Sequence, residues 1–406
     1  MTHAINSSIP HAPLTPRQVN WVLFAFALGG FAIGTSEFVV MGLISEIARG
    51  FGVTEPQVGH VVSAYALGVV VGAPLLAVLG AQMRRRRLLL LLMGFYALAN
   101  GVSALAPSYH WMMVFRFIAG LPHGAYFGVA ALVAAHISPP SQRGSAVGKV
   151  MLGLSVALLL GNPLATWMGQ LWSWRVAFVL VAGIALATVL MIAACLPPGM
   201  GTPRTDARRE LHDFNRAPVW LTLGIGAIGF AGMFAVFSYL PPTMAHVAGV
   251  GASYVPLGLV AFGLGSVIAS LLGGWLFDRF GFRSVALIML WAVGALLLYP
   301  WAAQSIGTLL PMVLVIGTFG ALVPVLQSHL MDVAGNAQTL AAASNHSAFN
   351  TANALGPWLG GMAITAGYGW TSVAYVGVAT TLIGLMIYVV AARQGRQALS
   401  VQPSEN

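Results

Sequence analysis

Residues 21–43 read WVLFAFALGGFAIGTSEFVVMGL, and Glu37 is the only charged side chain among them. A helix rises about 1.5 Å per residue, and about 20 apolar residues cross the hydrocarbon of a bilayer. This run is long enough to span a membrane, and it carries a carboxylate within the span. The rest of the chain has the same character. Of its 406 residues, 58% are hydrophobic and 7% charged, and the mean hydropathy is +0.85. A soluble domain is about a quarter charged. No soluble fold of this size hides so much apolar surface from water, so lipid is the solvent for most of the chain. Residues 1–18 are polar, and the apolar run after them is too long for a signal-peptide core, with no convincing cleavage site at its end. It is read as the first transmembrane helix. The one cysteine, Cys195, excludes an intrachain disulfide.

Twelve apolar spans are expected, near 19–42, 57–80, 88–106, 110–136, 145–169, 175–196, 218–240, 254–277, 284–303, 308–330, 338–365 and 371–391. The basic residues fall between them with a strong bias. Alternate loops and tails hold Arg17, Arg84 to Arg87, Arg143, Lys149, Arg204, Arg208, Arg209, Arg216, Arg279, Arg283, Arg393 and Arg396, which is 15 of the 18. The other loops hold Arg49 and Arg175, and Arg116 lies inside a span. The net charge of +9 is therefore a topology signal rather than a nucleic-acid surface. It places both termini in the cytoplasm; the inner (plasma) membrane of a bacterium is the expected location. The expected organisation is a tail (1–18), a six-helix half (19–196), a cytoplasmic linker (197–217), a second six-helix half (218–391) and a tail (392–406).

The halves look related. Residues 65–90 align with 262–287 at a shift of 197, placing Gly68 on Gly265 and Arg86 on Arg283. NPLATWMG (162–169) likewise falls on NALGPWLG (353–360). Two parallel six-helix repeats are a transporter architecture.

The loop after span eight reads GGWLFDRFGFR, with Gly274, Leu276, Asp278, Arg279, Gly281 and Arg283 in the pattern G-x-L-x-D-R-x-G-x-R. It resembles the loop motif of the major facilitator superfamily. In the first half Ala81 stands in the acid's place and Arg84 in the glycine's. GTSEFVVMGL, RFIAGLPHGAYFG and NPLATWMGQLWSWR are similar to the drug and sugar proton-antiporter branch, and most of all to its arabinose-efflux-permease (AraJ-type) group. Ser45 stands where relatives usually carry proline. The antiporter glycine-proline motif is represented by Gly153, Gly161 and Pro163 in span five, and a GPWLGG version with Gly356 and Pro357 appears in span eleven. The resemblance implies an all-α integral membrane protein, two pseudo-symmetric six-helix halves, and no enzymatic activity. It also implies proton-coupled efflux of a sugar, nucleoside-like metabolite or drug by rocking of the halves, with no cofactor beyond the proton gradient. The expected partners are the small-molecule substrate, protons and the bilayer, with no nucleic acid, and the unit is a monomer. In that fold spans one, four, seven and ten line the cavity.

Glu37 then lies roughly 8 Å below the outer end of span one and Arg116 roughly 9 Å below that of span four. A charge at such depth is costly unless paired or hydrated. Burial raises a carboxylate's proton affinity and a nearby arginine lowers it. Glu37 is the candidate proton carrier and Arg116 the group that tunes it; the alternative is a purely structural pair, or a carboxylate reaching for the outer surface. His123, two turns further along span four, either relays a proton or is a buried histidine bonded to a neighbour. Gly120, Gly124 and Gly128 are expected to allow close helix packing. His346, Asn350 and Asn353 form one stripe on span eleven, facing substrate or bonding across helices. Phe230, Phe234 and Phe237 form either an aromatic cavity wall or ordinary packing, and Tyr65, Asn100 and Tyr126 are further cavity candidates. Asp278 and Arg279 are either gate charges or solvated ions.

Other chemistries fail on their motifs. GIGAIG (224–229) follows no strand and has no acid about 20 residues later, so it is no dinucleotide fingerprint. GSAVGKV (144–150) lacks the first glycine and the final Ser/Thr of a phosphate loop, which leaves no ATP-driven engine. The ten histidines show no metal-ligand spacing and no metal is expected. The remaining rivals are an importer or uniporter on the same fold, and a non-transporting membrane sensor.

Overall fold

The computed structural model describes residues 14–80, 83–139, 142–198, 215–335 and 338–401, and these contain helices and no strands. Spans one to four are Pro16–Gly42, Glu55–Gly80, Arg85–Ala104 and Tyr109–Ile137. Span five joins Arg143–Val156 to Asn162–Leu171 through one wide π turn, Ala157–Gly161, and span six is Trp174–Cys195. Span seven comes in three pieces, Ala217–Gly229, Ala231–Ser238 and Leu240–His246. Spans eight and nine are Val255–Phe280 and Arg283–Ala302. Span ten runs Ile306–Gly317, a tight 3-10 turn Thr318–Ala321 and Leu322–Val333; span eleven is Gln338–Ala363, and span twelve is Ser372–Val401. Span twelve thus carries helix into the segment expected as a tail, while most of the expected linker (199–214) lies outside the described residues, as does Ala81. Local signals start these helices. Thr15 and Gln18 form a capping box at span one with Pro16 in the first turn, and Ser173 and Ser305 accept backbone N–H bonds at the starts of spans six and ten.

Eleven of the spans are long and apolar enough to cross a bilayer. Gln338–Ala363 has the length, but Asn345, His346, Asn350 and Asn353 dilute its apolar character. Those groups face inward, with Asn345, Asn350 and Asn353 buried. The outer surface shows Leu98, Leu190, Leu271, Trp111, Trp167 and Trp301. A polar interior and an apolar exterior invert the soluble arrangement, as a lipid-facing protein requires.

The repeat seen in the sequence is present as a joint in three dimensions. A Cβ on Gly68 would strike the backbone of Phe117 and Gly120, and one on Gly120 would strike the Tyr65 carbonyl and Gly68. In the second half Gly265 meets the backbone of Leu314 and Gly317, and Gly317 meets Phe262 and Gly265. All four pairs of positions are related by the shift of 197. Spans two and four, and spans eight and ten, therefore cross at backbone contact, which only glycine permits.

The halves meet where span two runs along span eleven, where span five crosses span eight, and where the end of span one reaches Leu240–His246 of span seven. At the π turn, Gly263 of span eight lies against the backbone of Leu158 and Leu159. The end of the bundle that carries Arg49 and Arg175 is closed. Span one is buried from Ala32 to Gly42 and span seven from Gly229 to Met244, and Gln170 Nε2 donates to the Ala252 carbonyl across the halves at 3.0 Å. At the opposite, arginine-rich end the first turns of spans one and seven are largely exposed.

Candidate functional site: a buried polar seam

The sequence GTSEF puts Ser36 and Glu37 side by side on span one, and helical geometry sends them about 100° apart. Ser36 turns into its own half. Arg116 Nη1 donates to Ser36 Oγ at 2.8 Å and to Asn100 Oδ1 at 3.3 Å, and Nη2 donates to the Ser36 carbonyl at 2.8 Å. Ser36 Oγ donates in turn to Asn100 Oδ1 at 2.6 Å. The guanidinium also lies 4.2 Å from the Tyr65 ring centroid and 5.3 Å from that of Phe178. Arg116 is fully buried, so hydrogen bonds and ring faces replace its water, as a buried cation needs.

Glu37 turns toward the other half. Asn353 Nδ2 of span eleven donates to Glu37 Oε1 at 3.0 Å, and both side chains are buried. Glu37 and Arg116 form no ion pair. They are neighbours through Ser36, with different partners.

From Arg116 the polar groups continue toward the arginine-rich end. Tyr65 Oη lies 3.0 Å from Tyr96 Oη and 3.2 Å from His123 Nδ1. Tyr96 donates to the Ile33 carbonyl at 3.3 Å, and Asn100 Nδ2 donates to the Tyr96 carbonyl at 2.9 Å. The His123 ring sits 5.4 Å from Phe127, which stacks on His346 of span eleven. Glu37, Arg116, His123, Tyr65, Asn100, Asn353 and His346 thus belong to one seam running down the middle of the molecule.

The span-eleven stripe divides its work. Asn353 bonds across helices, while Asn350 Nδ2 donates to the His346 carbonyl of its own helix at 3.0 Å. Ser63 of span two donates to the Ala354 carbonyl at 2.7 Å, a further polar tie between the halves. The three phenylalanines of span seven are buried in an aromatic seal. Phe234 stacks on Phe38 at 6.4 Å, Phe237 meets Phe38 edge-on at 5.9 Å and stacks on Phe262 at 3.9 Å, and Phe230 packs against Phe319 and Phe349.

Two expectations need correction. Tyr126 does not join the seam. Its hydroxyl donates to the Phe26 carbonyl at 2.9 Å and its ring packs beside Gly29, inside the first half. Gly128 is not a packing glycine, because a Cβ there would meet nothing within 4 Å. Gly120 and Gly124 do pack, against span two. Gly161 lies on Thr35 and Phe31 of span one, the neighbouring Pro163 is buried in the first turn of Asn162–Leu171, and Gly356 lies on the backbone of span seven. The Pro357 carbonyl accepts a bond from Tyr239 at 2.8 Å. Gly281 adopts φ 55°, ψ −141°, a conformation reserved for glycine, between spans eight and nine. Gly274 has open space, and Asp278, Arg279 and Arg283 are exposed, with no ion pair to Asp278 among the described residues.

Sequence reading missed Ser36, Tyr96 and Ser63. Small hydroxyls in apolar helices commonly bond their own preceding turn, so composition alone does not single them out. The adjacency of Ser36 to Glu37 was the available signal.

The profile of the Major Facilitator Superfamily matches residues 26–261 and again 222–405. The inner membrane transport protein YdhP of Escherichia coli K12 is 36% identical over 388 residues, covering 95% of this chain and 100% of that one. The protein AraJ of the same organism is 32% identical, covering 94% and 98%. A chloramphenicol resistance protein of Streptomyces lividans is 32% identical, covering 82% and 87%. Among solved structures, a bacterial homologue of the human lysosomal transporter Spinster superposes with a TM-score of 0.69 at 18% identity, over 94% of this chain and 98% of that one. The twelve-span architecture, the duplicated glycine joint and these matches together make the chain a multi-pass membrane transporter of the Major Facilitator Superfamily.

Proposed function

We propose that this transporter exports a small organic molecule in exchange for protons, with Glu37 as the proton carrier. One observation carries the reading: a buried carboxylate sits on the plane where the two halves meet and is bonded to the half opposite its own. A group so placed changes its surroundings whenever the halves rock, so its proton affinity differs between the two access states. Arg116 supplies a fixed positive charge one residue away from the carboxylate, and His123 and the tyrosines extend the polar path. The aromatic seal and the span-eleven amides suit a neutral or cationic substrate with apolar bulk: a sugar, a nucleoside-like metabolite or a drug. The resistance protein among its relatives supports efflux. The exposed Asp278, with no ion pair among the described residues, fits a gate charge that pairs only in the other access state. The transporter sits in the inner membrane with both termini in the cytoplasm, works as a monomer and needs no cofactor beyond the proton gradient.

The test is survival of a pump-deficient bacterium expressing wild type or Glu37→Gln against antibiotics, sugar analogues and nucleoside analogues. Protection by wild type alone is expected. Equal protection by both removes Glu37 from the coupling, and uptake in place of protection overturns export.

A further inference from the structure

Asn353 Oδ1 is a fully buried acceptor with no hydrogen-bond partner among the described residues. The other end of the same amide donates to Glu37. With Glu37 ionised, that bond sets the amide's orientation, because a carboxylate oxygen accepts and does not donate. A buried acceptor left unpaired is unfavourable. An ionised Glu37 has no proton to offer it. A neutral Glu37 has one O–H, and a carboxylic acid and a primary amide are complementary: amide N–H to acid carbonyl, acid O–H to amide carbonyl.

We propose that Glu37 and Asn353 form a proton-dependent clasp between the two halves. When Glu37 takes up a proton, its O–H donates to Asn353 Oδ1, and the closed arrangement of the arginine-poor end gains a second hydrogen bond between Glu37 and Asn353. When the proton leaves, one bond remains and the amide oxygen is orphaned again. The clasp rests on the reading of Glu37 as proton carrier. It adds where the proton acts and in which direction: protonation favours closure of the end that carries Arg49 and Arg175. In an exchanger this order is productive, since the loaded proton closes the side it entered from.

The groups that act on Glu37 electrostatically are Arg116 from span four, Tyr65 from span two and Tyr96 from span three. Guanidinium and phenol ordinarily titrate far above neutral pH, so they set a constant background. On span eleven the titratable group is His346, two turns from Asn353 and stacked on Phe127. Span seven presents Phe234 and Phe237 to the neighbouring Phe38.

The test uses the full chain in lipid nanodiscs, with Cys195→Ser and spin labels on Leu105→Cys and Tyr368→Cys, two exposed positions on opposite halves at the arginine-poor end. Electron–electron distance distributions are recorded at acid and alkaline pH. The short-distance share should rise severalfold in acid. Glu37→Gln, whose amide can donate permanently to Asn353, should hold the short distance at every pH. Asn353→Leu, and the smaller Asn353→Ser, should lose most of the response. A wild-type response in both Asn353 variants overturns the clasp and leaves Glu37 as a carrier. No response in wild type also overturns it, and gradient-driven flux in Glu37→Gln liposomes then decides whether the carrier reading falls as well.

Discussion

Phe127 of span four and His346 of span eleven stack in parallel, with ring centroids 5.7 Å apart and planes 3° apart. They join the halves nearer the arginine-rich end, below the Glu37–Asn353 bond. Ring pairs of this kind contribute about 0.5–1.5 kcal/mol beyond their area. His346→Ala is expected to raise amide hydrogen exchange around residues 344–350 by roughly fivefold, the factor for about 1 kcal/mol. Exchange in span one between Ala32 and Gly42 should stay as it is.

Arg116 uses the planar fork of its guanidinium. Two nitrogens make three bonds while the face of the group lies over Tyr65. Lysine reproduces the charge and not this geometry. Arg116→Lys should fold, with its unfolding temperature in detergent a few degrees lower, and lose at least about tenfold in transport rate. Arg116→Ala leaves the buried Ser36 hydroxyl and carbonyl without the guanidinium donors, and should cost about 1–3 kcal/mol in stability. Flux and thermal unfolding measured on the same preparations separate the two effects.

Gly120 and Gly128 sit on one helix and make opposite predictions. A methyl at Gly120 strikes the span-two backbone, whereas one at Gly128 meets open space. Gly120→Ala should destabilise by about 1–3 kcal/mol. Gly128→Ala should be neutral or stabilise by up to about 1 kcal/mol through its better helix propensity. Thermal unfolding of the two variants side by side checks both.

These contrasts also show what the sequence made legible. The spans were readable because lipid imposes length and apolarity on every one of them. Span eleven was found despite its polar stripe, because small and apolar residues continue on either side. The depth argument placed Glu37 and Arg116 at one level, and they do lie in one seam. What it left open was rotation. Whether Glu37 meets Arg116 or Asn353 depends on which way a single turn of span one faces, and no periodic signal in a stretch buried on every side, as 32–42 is, sets that. Gly128 and Tyr126 were misread for the same reason: spacing gives a face, and only packing says what covers it.

Asp278 is exposed and makes no ion pair among the described residues. Asp278→Asn should therefore leave the unfolding temperature of this state unchanged. If the residue pairs only when the arginine-rich end closes, turnover should fall by about tenfold, a loss confined to the kinetics. An equal loss of stability and turnover would reject the gate role.

Glu46, in the short helix Ile44–Phe51 after span one, is pushed toward the protonated form by burial, more than its bond to the backbone and Arg49 at 3.4 Å hold it ionised. A carboxyl raised in the folded state adds stability in acid that is lost as pH rises through its folded value. Glu46→Gln should thus raise the unfolding temperature at neutral pH and change it little in acid. A melting series across pH in wild type and variant checks the sign.

The joint of Gly68 with Gly120 and that of Gly265 with Gly317 are copies of each other, but the residues around them are not. At the shift of 197, Arg116 corresponds to Val313 and Tyr65 to Phe262. One copy holds a cation over a phenol; the other holds a valine and a ring that seals against Phe237. The repeat supplies two equivalent joints, one of them armed with charge and the other packed as grease. The backbone joint is the shared inheritance, and the ionic chemistry belongs to a single descendant.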